Sequence, residues 1–247
     1  MTKIAFISDV HANYEALSAM LRRLDAVGCD AIVCLGDIVG YGASPSECIS
    51  LIREREIPCV MGNHDEYATM MLDMNPSVSR LREEIRQSIA WTQSQLSTDE
   101  LKWLASLRMR MEDSEFMALH SSFAHGRWAY CMNEGSFAAN FERQPCQLAF
   151  CGHSHSPLIG IDVGGGRPPF VDFIRPYTLP TDHKIMVNVG SVGQPRDRDN
   201  RACACLYELE TRRLELIREP YDIAMAQNKI YMARLPEKFA TRLDFGR

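Results

Sequence analysis

The chain has 247 residues, 46% hydrophobic and 24% charged, with a net charge of −5. That is ordinary globular composition, sized for one α/β domain over 1–247 rather than two small ones. It holds no apolar run near the roughly 20 residues of a membrane helix and no block of Lys or Arg, so a bilayer and long nucleic acid are poor partners.

Residues 3–8 are continuously apolar and predict a strand, with Asp9-Val10-His11 at its end. This start lacks the layout of a signal peptide. Leu17, Met20, Leu21 and Leu24 then fall at helical spacing, with Asn13 placed to cap the helix and Gly28 to close it. Residues 31–35 predict a second buried strand ending in Gly36-Asp37, and Ser44-Pro45 starts a helix running to about residue 56. A short strand is expected over 57–61, with Gly62 releasing the chain into a turn that presents Asn63, His64 and Asp65. This alternation is the rhythm of parallel βαβ units.

From 65 to 115 the character turns helical, with Leu81, Ile85, Ile89 and Leu96 along one face. Ser97-Thr98-Asp99-Glu100 reads as a capping box opening a helix through 107. Trp91 and Trp103 read as packing residues. Strand character returns over 115–119, ending at His120; residues 137–141 are helical, and 148–151 form a buried strand ending in Gly152-His153-Ser154-His155. Strands are then expected over 158–163, 184–188, 202–209 and 213–218, with a turn at 164–166 and a terminal helix over 223–235. The nine cysteines form no C-x-x-C pair, and several sit inside apolar strands. They read as reduced small hydrophobes of a cytoplasmic protein.

Five segment ends therefore carry Asp9/His11, Asp37, Asn63/His64, His120 and His153/His155, leaving only His125 and His183 of the seven histidines elsewhere. Any one of these alone is better read as a turn former or a structural histidine. Together they are not: crowding carboxylates and imidazoles without a cation costs several kcal/mol, on the order of the penalty for a buried unpaired charge. Carboxylate, imidazole and amide oxygen suit a transition-metal ion rather than calcium. There are more donors than one ion needs.

Asp9-x-His11, Gly36-Asp37, Gly62-Asn63-His64-Asp65, His120 and Gly152-His153-x-His155, in that order, resemble the calcineurin-like metallophosphoesterases over residues 3 to about 207. The resemblance implies a four-layer αββα sandwich of two mixed β-sheets flanked by helices. It implies two divalent transition-metal ions, manganese first, with iron, zinc, cobalt or nickel as the other candidates. By the match of motifs, Asp9, His11, Asp37 and His155 would hold one ion. Asp37, Asn63, His120 and His153 would hold the other, with Asp37 bridging. His64 matches the family's catalytic histidine, which protonates the leaving oxygen. The implied reaction is hydrolysis of a small, nucleotide-like phosphodiester or phosphomonoester by a hydroxide bridging ions about 3.5–4 Å apart.

Departures narrow the substrate. Protein Ser/Thr phosphatases and symmetrical dinucleoside tetraphosphatases of this superfamily carry an arginine after the second motif and another before the Asn-His. Here Ile38 follows Asp37, and Met61 precedes Gly62. Gly40-Tyr41-Gly42 and Asn188-Val189-Gly190-Ser191 look like the small bacterial and archaeal phosphodiesterase branch. That branch often has glycine where Ala12 and Ser121 stand; altered loop geometry with retained ligands is expected. Arg196, Tyr41, His125 and Arg127 are candidate substrate contacts, with Arg196 first because guanidinium matches phosphate geometry. The alternative is a non-catalytic metal-binding interaction scaffold on the same fold, which the retained His64 disfavours. No cysteine is followed by the loop and arginine of a cysteine-based phosphatase.

Overall fold

The computed structural model describes residues 1–70, 78, 80–124 and 126–247. It opens with β1 (Lys3–Ile7), α1 (Tyr14–Val27), β2 (Ala31–Cys34) and α2 (Pro45–Glu54). The helical stretch follows as α3 (Asn63–Thr69), α4 (Glu83–Gln95) and α5 (Thr98–Ala105). Then come β3 (Arg110–Glu112), β4 (Met117–Leu119), α6 (Glu134–Phe141), β5 (Leu148–Cys151), β6 (Pro157–Ile161), β7 (Phe170–Phe173), β8 (Tyr177–Thr178) and β9 (Ile185–Val189). The chain ends with β10 (Ala202–Glu208), β11 (Arg213–Glu219), α7 (Ile223–Met232), α8 (Glu237–Thr241) and a 3₁₀ turn (Arg242–Asp244).

The strands make two mixed sheets, β2-β1-β10-β11-β8 and β3-β4-β5-β9-β6-β7. Successive side chains on a strand point to opposite faces, and this alternation builds the layers. On β1, Phe6 points inward while Ala5 and Ile7 point outward; on β5, Leu148 and Phe150 point inward while Ala149 and Cys151 point outward. The inner faces meet in a shared core where the Phe6 and Phe150 rings stack 3.8 Å apart and Phe116 sits edge-on to Phe6 at 5.1 Å. Truncating Phe150 to alanine there would cost about 3–5 kcal/mol. Outside the first sheet, Leu17, Met20 and Leu24 of α1 pack with Ile49 and Ile52 of α2. Outside the second, Phe137 and Phe141 of α6 cover Ala149, Cys151 and Met186. The result is the expected αββα sandwich of two mixed sheets.

The expected caps hold. Asn13 accepts from Ala16 N, Gly28 closes α1 in the left-handed region, and Ser97 and Glu100 form a capping box. Three expectations need correction. Residues 57–61 make no regular strand, only isolated bridges Cys34↔Cys59 and Val60↔Arg108, because Pro58 has no N–H to continue a ladder. Asn63 and His64 open α3 rather than a loop. The terminal helix stops at Met232, Arg234 turns with φ 54°, and Pro236 begins a separate helix, since proline is not tolerated in a helix interior. All nine cysteines are free thiols. Among the described residues no helix is long and apolar enough to cross a membrane.

Candidate metal centre

Asp9, His11, Asp37, Asn63, His64, His120, His153 and His155 come together at one end of the sandwich, all buried. Each lies just past a strand or at the start of α3, where side chains from both sheets converge. Asp9, His11, Asp37, His153 and His155 all adopt positive φ, between 49° and 68°. A non-glycine residue in that region is strained, and such strain concentrates at functional sites. Ala12 shares it with φ 50°, which explains the glycine often found there in the resembling branch. Ser121, at the other departure, donates its hydroxyl to Arg127 O at 3.0 Å.

Gly62 does not serve as a left-handed turn; its φ is −94°. It is glycine because a Cβ there would overlap the backbone nitrogen and Oδ1 of Asp37. The two loops are pressed together and then tied by Asp65. One Asp65 oxygen accepts from Asp37 N at 2.8 Å and Gly62 N at 3.0 Å; the other accepts from Ile38 N at 2.8 Å and Val39 N at 3.2 Å.

The imidazole tautomers follow from carbonyl acceptors. His11 Nδ1 faces Val39 O at 3.2 Å and His155 Nδ1 faces Gln194 O at 2.6 Å. A carbonyl can only accept, so both Nδ1 atoms carry protons. Their Nε2 atoms, 3.1 Å apart, are then both lone pairs. His153 Nε2 faces Trp128 O at 3.1 Å, which leaves its Nδ1 as the lone pair. His120 Nδ1 faces Leu35 O at 2.7 Å. Its Nε2 lies 3.2 Å from Asn63 Oδ1, 3.2 Å from His153 Nδ1 and 3.3 Å from Asp37 Oδ2. Among the described residues Asp9 Oδ1 is buried without a hydrogen-bond partner, and Asp37 Oδ2 faces the His120 ring as its ion pair. Asp9 Oδ1 lies 3.3 Å from His155 Nε2, and Asp37 Oδ2 lies 3.6 Å from His11 Nε2.

Among the described residues these contacts form three clusters able to hold a metal ion: Asp9–His11–His155, His11–Asp37–His64 and Asp37–His120–His153. Burial dominates the electrostatics. It pushes Asp9 up to about 7 and holds His11 and His155 well below the ordinary histidine value. Burial lowers His64 to about 4, and burial with the charge of His120 lowers His153 to about 3. His120 goes the other way. Burial opposes its charge, but Asp37 and Asp9 raise it to about 10. Burial likewise opposes the Asp37 carboxylate, yet His120, His64 and His11 hold it below the usual carboxylate range. Burial thus keeps the His11, His64, His153 and His155 rings neutral, the form in which imidazole offers a lone pair to a metal.

A cleft of about 200 Å³ opens onto the cluster. Tyr41 and Arg196 line it, as do Tyr67 of α3 and Ile85 of α4, so residues of the helical stretch form part of its wall. Arg127 does not line it; its guanidinium pairs with Glu66. His125 lies outside the described residues. Sequence reasoning assigned no role to Asp65, Gln194 or Tyr130, whose ring stacks on His153 at 4.1 Å. Backbone carbonyls that orient imidazoles carry no signal in the sequence, since every residue has one.

The calcineurin-like phosphoesterase superfamily domain model matches residues 2–212. An uncharacterized protein of Methanocaldococcus jannaschii is 36% identical over 250 residues, covering 99% of this chain and 98% of that protein. A solved metallophosphoesterase from Sphaerobacter thermophilus is 37% identical with a TM-score of 0.85, covering 100% of this chain and 99% of its own. A hypothetical protein from Pyrococcus horikoshii shares the fold with a TM-score of 0.82 at 17% identity, over 100% of this chain and 99% of its own. The chain belongs to the calcineurin-like phosphoesterase superfamily.

Proposed function

We propose that this protein is a binuclear metal-dependent phosphoesterase acting on a small phosphorylated substrate, a nucleotide-like diester or monoester. The observation that carries this reading is the pair of inward lone pairs on His11 and His155, 3.1 Å apart, beside Asp9 Oδ1, which is buried without a hydrogen-bond partner among the described residues. Lone pairs and carboxylate oxygens facing one another in a buried space repel unless a cation lies among them. The donor set fits divalent transition metals, manganese first. Asp9, His11, Asp37 and His155 would hold one ion; Asp37, Asn63, His120 and His153 would hold the second, with Asp37 shared. Bound there, such ions supply Lewis acidity to phosphoryl oxygens and make a water acidic enough to attack near neutral pH.

The chain's own residues do the rest. The carbonyls of Val39, Leu35, Trp128 and Gln194 orient the imidazoles, the usual outer-shell arrangement of a metal-binding histidine. Tyr41 and Arg196 line the cleft and would contact the substrate there, Arg196 through charge-assisted hydrogen bonds to an anionic group of it. His64 is the proposed general acid. Its backbone N–H is fixed on Asp37 Oδ1 at 2.7 Å, and its Nδ1 is sealed without a partner, so proton transfer falls to Nε2. Burial keeps the free ring neutral. An arriving phosphate brings the negative charge that favours its imidazolium, which then protonates the departing alkoxide.

The test is hydrolysis of bis-p-nitrophenyl phosphate by purified protein with added Mn²⁺ and measured metal content. Turnover with about two ions bound supports the reading. Absence of turnover with every divalent ion tried, across a panel of mono- and diesters, would favour the non-catalytic scaffold instead.

A further inference from the structure

The family match ends at residue 212, yet the chain beyond it reaches the site. Phe239 of α8, fully buried, meets the Tyr41 ring at 4.9 Å and 61°. The Tyr41 ring also lies 4.4 Å from the His64 ring and 4.6 Å from the His11 ring. Arg196 places its guanidinium carbon 5.8 Å from the centre of the same ring. Three residues past Phe239, Arg242 reaches the same place. Gln194 Oε1 accepts from Arg196 Nη2 at 2.8 Å and from Arg242 Nη1 at 2.9 Å.

That arrangement is electrostatically incomplete. Two guanidinium groups share one neutral amide oxygen, and among the described residues neither is paired with a carboxylate. Among the described residues Arg196 Nε is buried with no hydrogen-bond partner. Burial disfavours the charge of Arg242, the nearby Arg196 disfavours it further, Tyr41 favours it, and Arg82 again opposes it, so that it lies below the ordinary arginine value. Arg82 caps the start of α4, the helix whose Ile85 lines the cleft. In a chain with a net charge of −5, two neighbouring guanidinium groups without a carboxylate partner, one of them lining the cleft, call for an anion from outside. Guanidinium groups take phosphate or carboxylate in that role.

We infer that Arg196 and Arg242, bracketed on Gln194, form a second anion subsite one aromatic ring away from the metal cluster. This rests on the phosphoesterase reading and deepens it. The substrate carries two anionic groups, one cleaved at the cluster and a second, phosphate-like, held beyond Tyr41. The segment after residue 212 is then a specificity element, because it supplies Arg242 and braces Tyr41 through Phe239.

The experiment compares two chromogenic diesters with the same scissile bond, thymidine 5′-(p-nitrophenyl phosphate) and its 3′-phosphorylated form, on Mn²⁺-loaded protein. The native protein should show a KM lower by roughly tenfold for the 3′-phosphorylated compound, the worth of one good charge-assisted contact. Arg242→Gln should raise KM for that compound about tenfold more than for the other, with kcat little altered, and Arg242→Lys should fall between. Calorimetric binding of thymidine 3′,5′-bisphosphate and thymidine 5′-monophosphate to native and Arg242→Gln protein separates the two claims. Preference for the bisphosphate that Arg242→Gln abolishes supports the subsite even if neither diester is cleaved, in which case the hydrolase reading alone falls. Equal binding of both nucleotides by the native protein, or a preference that survives in Arg242→Gln, overturns the subsite.

Discussion

Asp37 Oδ1 accepts the backbone N–H of His64 at 2.7 Å, while the N–H of Asp37 is itself held by Asp65 at 2.8 Å. The bridging candidate and the candidate acid are thus locked to one another through backbone, and Asp65 sets the distance between their loops. Replacing one of its oxygens by an NH₂ turns a donor against two backbone N–H groups. Leaving buried donors unsatisfied costs about 1–3 kcal/mol each. We expect Asp65→Asn to lose about 3 kcal/mol in urea unfolding and to weaken metal binding. A loss below about 1 kcal/mol would mean the loops hold without it.

Asp37 should be required for both ions. With one carboxylate shared between two clusters, Asp37→Asn removes the only negative charge common to them. Mn²⁺ at a hundred times its dissociation constant should stabilise the native protein by about 2.7 kcal/mol through mass action, visible as a higher Tm that a chelator reverses. The variant should show no such shift and no tightly held metal by elemental analysis. Two retained ions would refute the bridging role.

For His64 the expectation differs in kind. The side chain takes part in one of the three clusters, but the assigned ligand sets are complete without it. His64→Ala should therefore keep its metal while kcat falls by about 10²–10⁴-fold, the usual loss for a general acid. The deficit should be largest with poor leaving groups, which need the proton most. Undiminished turnover of such an ester would remove His64 from the role.

How much of this was legible beforehand depends on the range of each interaction. The donors were readable because each follows a local apolar run, and a run-then-donor pattern survives in one dimension. The unbroken apolar runs of β1 and β5 likewise made those strands readable, since a strand covered on both faces keeps apolar side chains on each. What failed was set by contacts distant in sequence. His120 is oriented by the carbonyl of Leu35, 85 positions away, and Gln194 meets Arg242 across 48. Strands β7 and β8 are edge strands of four and two residues, too short for a periodic pattern to be read. Gly62 looked like a turn glycine and is instead a close-approach glycine, a distinction visible only once Asp37 is beside it.

Gly40 offers the sharpest test of how tightly the candidate acid is held. Its φ is +89°, and a Cβ there would lie 2.5 Å from His64 Nδ1 and 3.0 Å from His64 Cβ. Gly40→Ala must therefore both strain its backbone and push the imidazole aside. Gly28, with φ +67° and nothing within 4 Å of its would-be Cβ, pays strain alone. Each alanine should cost about 1–2 kcal/mol in stability from the left-handed backbone. Only Gly40→Ala should also lose turnover, by tenfold or more, because a misplacement of about 1 Å at a reacting group costs on the order of 10²-fold. Metal content should be the same in both variants. If Gly40→Ala hydrolyses its ester as fast as Gly28→Ala, the position of His64 is not what limits the reaction.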